Sequence, residues 1–225
     1  MKLNNPVARM QKRLFAWGMS KTGLESDRRI ALKNYPDCAT LADLKQQLFA
    51  ELSEGDTILE IGPGAGANLW YYPQIIHWIG IEPNPFMHAY LQKEVEKVGL
   101  RESHIYQGFA ETIPVENGCI DTVISTHVLC SVNHLETSLK EITRVLKPGG
   151  KFIFIEHIAA KSGTTARILQ NSLKPAWQIL FDRCHPNRET GEAMAKSGFD
   201  LVKFQEFAVS FPIVSPHIAG IAIEK

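Results

Sequence analysis

The chain has no excess charge of either sign: 24 lysines and arginines face 24 aspartates and glutamates. A zero balance gives no long-range pull toward nucleic acid. No stretch interleaves basic with aromatic residues as a single-strand groove does, and no Asn-Pro-Pro-Tyr-type tetrapeptide for a flipped base is present. Long apolar runs are missing as well, so nothing reaches the roughly 20 residues that cross a bilayer, and nothing reads as a secretion signal. Cysteine is scarce. Cys38, Cys119, Cys130 and Cys184 are not paired at metal-ligating spacing, so no metal is expected, and reduced thiols in a cytoplasmic protein are the simplest reading. Repeats and low-complexity tracts are also absent. What remains is an ordinary globular balance, 44% hydrophobic and 21% charged over 225 residues, enough for one α/β domain with additions.

The most informative stretch is Ile58-Leu-Glu60-Ile-Gly62-Pro-Gly64-Ala-Gly66-Ala-Asn68. A short β-branched run ends in a glycine-rich turn, which reads as a buried parallel strand feeding a tight loop. Glycines let a ligand lie directly on the backbone. A helix after the turn would present free N–H groups and a positive dipole end. Gly62-x-Gly64-x-x-Ala67 also fits the dinucleotide pattern. Pro63, however, removes an N–H that a pyrophosphate would use, Glu60 would repel it, and about fifty residues precede the strand.

Taken in order, residues 1–24 hold Lys2, Arg9, Lys12, Arg13 and Lys21 and no acid, with Val7, Met10, Leu14 and Trp17 at helical spacing. This predicts a basic amphipathic helix, with its apolar stripe packed on the main domain as a cover for the ligand. Contact with an anionic membrane surface is the second reading. Leu41, Leu44, Leu48 and Leu52 mark a second helix, and the first strand follows at 57–61. The second strand, 78–82, ends in Glu82, twenty residues after Gly62, where a carboxylate accepts two ribose hydroxyls. Pro83 ends that strand, and Asn84 with Pro85 starts a helix. The third strand, 104–107, leads to Phe109, Ala110 and Glu111. Phe109 is a candidate cover for an adenine ring, and Ala110 and Glu111 are candidate partners for its nitrogens. The fourth strand, 121–125, runs into Thr126, His127 and Cys130. Asn133 with Glu136 looks like a capping box for the next helix. The fifth strand, 151–156, ends in Glu156-His157. Residues 160–196 read as a helical insertion broken at Pro175 and Pro186, and 199–211 with 218–223 as a terminal antiparallel hairpin.

The set Glu60, Gly62-x-Gly64-x-Gly66, Glu82, Asp121 to Ser125 and Leu146-Lys-Pro-Gly-Gly150 resembles the class I S-adenosylmethionine-dependent methyltransferases. Outside that shared core, Gly66-Ala-Asn68, Tyr72-Pro73, Pro83-Asn84-Pro85, Val128-Leu-Cys130-Ser131-Val132, Glu156-His157, Pro175-Ala-Trp177, Leu180-Phe181-Asp182 and Pro216-His217-Ile218 resemble the methyltransferase-like 7 family of thiol methyltransferases. The resemblance implies a Rossmann-like α/β fold. Its seven-stranded, mostly parallel sheet would have helices on both faces and an antiparallel C-terminal hairpin. Residues 1–55 would form a helical lid and 56–225 the methyltransferase domain. It also implies S-adenosyl-L-methionine as cofactor, held by Glu60, Gly62, Pro63, Gly64, Gly66, Asn68, Glu82, Pro83, Asn84, Phe109, Ala110, Glu111, Thr126 and His127. The sequence departs from the family pattern in three places. Pro63 replaces a cysteine, Glu82 replaces an aspartate, and the hydrophobic N-terminal anchor is missing, which makes a soluble protein the expectation.

The expected activity is methyl transfer to a small-molecule acceptor, a thiol first. N- or O-methylation of a metabolite or lipid head group, a non-catalytic cofactor-binding module and an NAD enzyme remain as alternatives. A thiol needs a base to form its thiolate. His127 and His157 are the candidates, because each follows the C-terminal end of a strand, where such folds bind ligands. Trp177, Phe181 and Cys130 are expected as pocket walls.

Overall fold

A computed structural model describes residues 5–224. The elements in chain order are α1 (Pro6–Arg29), β1 (Leu32–Lys33), α2 (Leu41–Phe49), β2 (Thr57–Ile61), β3 (His77–Ile81), α3 (Pro85–Val98), β4 (Glu102–Tyr106), β5 (Ile120–Thr126), α4 (Leu135–Val145), β6 (Leu146–His157), α5 (Thr165–Leu180), α6 (Thr190–Lys196), β7 (Asp200–Val209) and β8 (Pro216–Ile223). The strands form one sheet in the order β1-β7-β8-β6-β5-β2-β3-β4. Strands β4, β3, β2, β5 and β6 are mutually parallel, while β8 runs antiparallel to both β6 and β7. There are eight strands among the described residues rather than the expected seven. The additional one, β1, is a two-residue antiparallel edge on β7, too short to leave a period in the sequence.

Residues alternate between the two faces of the central strands. Ile58 packs with Leu41, Leu44, Phe49, Trp78 and Leu91 on one face. Leu59 and Ile61 pack with Val123, Leu139, Ile142 and Phe152 on the other. Burying both faces explains why β2 is almost continuously apolar. Helices α2 and α3 cover the first face, and α4 and α6 the second. Strand order reverses between β2 and β5, which opens a crevice at their C-terminal ends.

Four local expectations are corrected. The stretch after the glycine loop is a five-residue 3-10 turn, Ala67–Tyr71, so no long helix aims its dipole at the loop. Asn133 does not cap α4. His134 holds the cap position without a side-chain bond, and the Glu111 carboxylate accepts from the backbone N–H groups of Asn133 and His134 instead. Helix α5 passes through Pro175. Asn171, whose carbonyl loses its partner there, is an exposed residue. Finally, Val7, Met10, Leu14 and Trp17 face solvent, at 58–65% exposure. The inward face of α1 is a second stripe, with Ala8 and Ala16 buried and Lys12, Phe15, Met19 and Thr22 between them and the crevice. Lys2 lies outside the described residues. No described helix is long and apolar enough to cross a membrane.

The hairpin leaves no room at Gly220. A Cβ there would lie 2.2 Å from the Lys203 carbonyl oxygen and 3.0 Å from the Phe154 ring. Gly220→Ala should therefore cost about 3 kcal/mol and lower the melting temperature by roughly 6–12 °C, read by calorimetric melting. An unchanged melting temperature would show that β7 can move off β8.

Candidate active site

A cavity of about 580 Å³ opens at the crevice. Its floor is the glycine turn. Gly62, Gly64 and Gly66 all have left-handed backbones, with φ of 61°, 57° and 88°. Gly62 and Gly64 line the cavity; Gly66 does not. A Cβ on Gly66 would press on Leu69, Leu91 and Glu94, so that glycine serves the packing of the turn on α3. A Cβ on Gly64 would meet nothing within 4 Å, which leaves its backbone open to a ligand.

Two carboxylates at adjacent strand ends face this floor. Glu82 accepts from the Gly64 N–H at 3.0 Å and from the Asn84 N–H at 2.7 Å. Burial pushes its carboxyl up to about 7. Glu60 accepts from Asn68 Nδ2 at 2.8 Å and from Trp78 Nε1 at 3.2 Å, and burial raises its carboxyl too. Asn68 Nδ2 also donates to Thr126 Oγ1 at 3.1 Å. Asn68 Oδ1 is buried without a partner. Pro63, Pro83, Phe109, Ala110, Glu111 and Thr126 line the cavity as well. Asn84 does not: it is buried, caps α3 through Phe86 N–H, and donates to the Lys12 carbonyl at 3.1 Å.

The two histidines part company. His127 lines the cavity and holds a left-handed φ of 56°. Its Nε2 lies 3.1 Å from His217 Nε2. His217 Nδ1 is 3.1 Å from the Ser215 carbonyl, which only accepts, so that nitrogen carries the proton. Burial lowers both imidazoles, His217 to about 4 and His127 well below the usual value, so both are neutral near pH 7. The His127 Nε2–H therefore donates to His217, and the lone pair remains on His127 Nδ1. His157 does not line the cavity. It lies behind the wall with its Nε2 3.1 Å from Cys184 Sγ. Phe181 lines the cavity, whereas Trp177 and Cys130 do not.

Several features of the site left no mark in the sequence. Lys12 of α1 bridges both carboxylate oxygens of Asp182 at 2.8 Å, which ties α1 to the insertion across the cavity. Asp27 and Lys45 form a buried ion pair at 2.7 Å on the same wall, and Tyr71 OH donates to Asp27 at 3.2 Å. These partners lie far apart in sequence. His127, Asp182 and Arg183 are three of the four described non-glycine residues with a left-handed φ, and all three line this cavity. Backbone strain of that kind concentrates at functional sites.

Comparison with known proteins places the chain among methyltransferases. Residues 59–154 match a family model described as "Methyltransferase domain". The chain is 37% identical to the thiol S-methyltransferase TMT1A of Homo sapiens over 194 residues, covering 82% of this chain and 80% of that protein. It is 34% identical to TMT1B of Rattus norvegicus, covering 80% and 78%. Among solved structures, the [4+2]-cyclase SpnF superposes with a TM-score of 0.71 at 15% identity, covering 96% of this chain and 94% of that one. YcgJ of Bacillus subtilis superposes at 0.61 and 18%, covering 72% and 70%. These two likenesses are of fold.

Glu82 offers a direct check on the electrostatics. Its folded value, about 7, stands above the ordinary glutamate value of 4.5. The sign follows: the stability held by the protonated form is complete below pH 4.5 and is lost as pH rises through 7, up to about 3 kcal/mol. A carboxyl-carbon NMR titration of the ligand-free chain should show one glutamate titrating near 7, and Glu82→Gln should remove it. If every carboxyl titrates below 5, the burial argument fails.

Proposed function

The chain belongs to the thiol S-methyltransferase family of class I methyltransferases, and from that membership we propose that it transfers the methyl group of S-adenosyl-L-methionine to the sulfur of a small thiol. The residues present fit that cofactor. Asn68 Oδ1 is a buried acceptor without a donor, suited to the amino-acid ammonium beside Glu60. The Glu82 carboxylate keeps lone pairs for the two ribose hydroxyls beyond its two backbone donors. The Gly64 backbone is open to close approach, and Phe109, half exposed at the cavity, is placed to cover a planar ring. When bound, the cofactor supplies a methyl group already activated by its sulfonium.

The chain supplies position, dryness and a proton acceptor. Phe15, Met19 and Phe181 give the cavity an apolar lining, and the step moves one positive charge from the cofactor's sulfonium to the histidine that takes the thiol proton. His127 Nδ1 receives the thiol proton while His217 fixes the ring through Nε2. This neutral histidine on the cavity wall is the observation that carries the reading. His157 remains a residue of the wall's far side. The four cysteines are free, with Cys130 and Cys184 close together, which supports a reducing, cytoplasmic setting. We also infer that residues 1–55 act as a lid, because α1 reaches both the Asn84 turn and the insertion. The outward stripe of Val7, Met10, Leu14 and Trp17 favours a second use of α1, contact with an anionic bilayer surface.

Labelled cofactor incubated with alkyl thiols, amines and phenols should methylate thiols. His127→Asn, in which asparagine tolerates the left-handed backbone, should lower kcat by about 10²-fold with cofactor affinity within twofold. Methylation of amines or phenols but no thiol overturns the acceptor assignment, and an equal loss of affinity overturns the role of His127. Removing residues 1–24 should speed product release about tenfold, the effect of ~1.4 kcal/mol of lost contact, with the core still folded. Unchanged release sinks the lid, and loss of vesicle binding in that truncation supports the membrane contact.

A further inference from the structure

Behind the cavity wall, three segments distant in sequence bring together three soft donors. Cys130 follows β5, His157 ends β6 and Cys184 lies in the loop after α5. Their exposures are 2%, 4% and 8%. Cys130 Sγ, a ring nitrogen of His157 and Cys184 Sγ all lie within 4.8 Å of one another. None of the three lines the cavity, so the proposed methyl transfer leaves them unused.

We propose that Cys130, His157 and Cys184 bind one zinc-class divalent cation. Zinc–sulfur and zinc–nitrogen bonds of about 2.3 and 2.0–2.1 Å in a tetrahedron set donor separations of roughly 3.5–3.8 Å. The observed spread brackets that range, with His157 Nε2 at 3.1 Å from Cys184 Sγ and no pair beyond 4.8 Å. Sub-ångström side-chain adjustment closes the difference. Two thiolates and one imidazole are a donor set for which zinc is well suited.

Two observations fit an ion at this cluster. The His157 ring is buried with no oxygen partner at either nitrogen. Nε2 meets sulfur, and Nδ1 meets nothing. The ring's hydrogen-bond partner among the described residues is thus a soft donor, and the ring lies in one cluster with both sulfurs. The Trp177 indole N–H donates to Cys184 Sγ at 3.3 Å, the kind of outer hydrogen bond that steadies a thiolate ligand. Charge also balances. Binding expels the two thiol protons, so a dication with two thiolates is a neutral unit. The surrounding Trp177, Ile213 and Val214 tolerate a neutral unit far better than a bare ion. The ion would pin the insertion, and with it the Phe181–Arg183 wall, to the ends of β5 and β6.

The test uses the full chain, purified without chelating resin. Elemental analysis should find one zinc per chain. After chelator treatment, Co²⁺ should add one equivalent, with a thiolate-to-cobalt charge-transfer band and release of close to two protons. Trp177→Phe, which keeps an aromatic ring in place, should weaken Co²⁺ binding about tenfold, and Cys184→Ser should abolish the band. A chain without metal and without the cobalt band overturns the proposal, as does a Cys130–Cys184 disulfide found by mass spectrometry. Because the readout is metal content, failure here is distinct from failure of the thiol reading.

Discussion

Two parallel strands end side by side, and the carboxylate of Glu82 joins the loops that leave them. It accepts from Gly64 in the turn after β2 and from Asn84 in the turn after β3. The register that places Ile61 opposite Ile81 brings those donors within reach. Asn84 then passes the connection on: it caps α3 and holds the Lys12 carbonyl, and Lys12 holds Asp182. One line of polar contacts thus runs from the sheet through α1 to the insertion. Its origin is costly, because burial raises the Glu82 carboxyl to about 7. A buried acceptor with spare lone pairs is stabilised by hydroxyl donors, which is what a bound diol supplies.

Glu156 does comparable work at the end of β6. One of its oxygens accepts from Ser125 Oγ at 2.5 Å and from the N–H groups of Val128 and Leu129 at 3.1 and 3.2 Å. Those three bonds shape the loop after β5, and His127 is held there in a left-handed backbone whose N–H reaches the Ile155 carbonyl at 2.9 Å. The strain at His127 is offset by a buried acceptor on the neighbouring strand rather than by anything in the loop itself. Strain confined to Asp182 and Arg183 on the opposite wall has its counterpart in the Lys12 bridge.

Much of this was legible in the sequence, for a physical reason. The glycine turn, Glu82 and the five parallel strands are local patterns: an apolar run, a breaker and an acid at a fixed distance. Their spacing survives folding unchanged. The features that escaped depend on contacts between distant segments. The outward stripe of α1 had the stronger apolar period, so it masked the inward stripe of Ala8, Lys12, Phe15 and Met19. The two histidines at strand ends looked alike, yet the fold turns His127 to the cavity and His157 away from it. Cys130 and Cys184 are more than fifty residues apart, and no spacing rule brings them to one histidine. Glu111 took over the capping expected of Asn133, accepting from the backbone N–H groups of Asn133 and His134 at the head of the helix from across the loop.

The depressed imidazole of His127 sets a limit on how the proposed reaction proceeds. A free thiol loses its proton near pH 8.5, while burial and its histidine neighbours hold His127 well below its usual value. Proton transfer from a resting thiol to this ring is therefore uphill, and a thiolate does not accumulate in the cavity. The same burial keeps the ring unprotonated, so the lone pair on Nδ1 is always available. A base that is available but weak acts only as the new sulfur–carbon bond places positive charge on the thiol sulfur, when its proton becomes more acidic. His217 strengthens that arrangement by accepting from Nε2, so the developing imidazolium shares its charge along a fixed hydrogen bond. A dry cavity would also leave the sulfur lone pair unsolvated for attack on the methyl carbon.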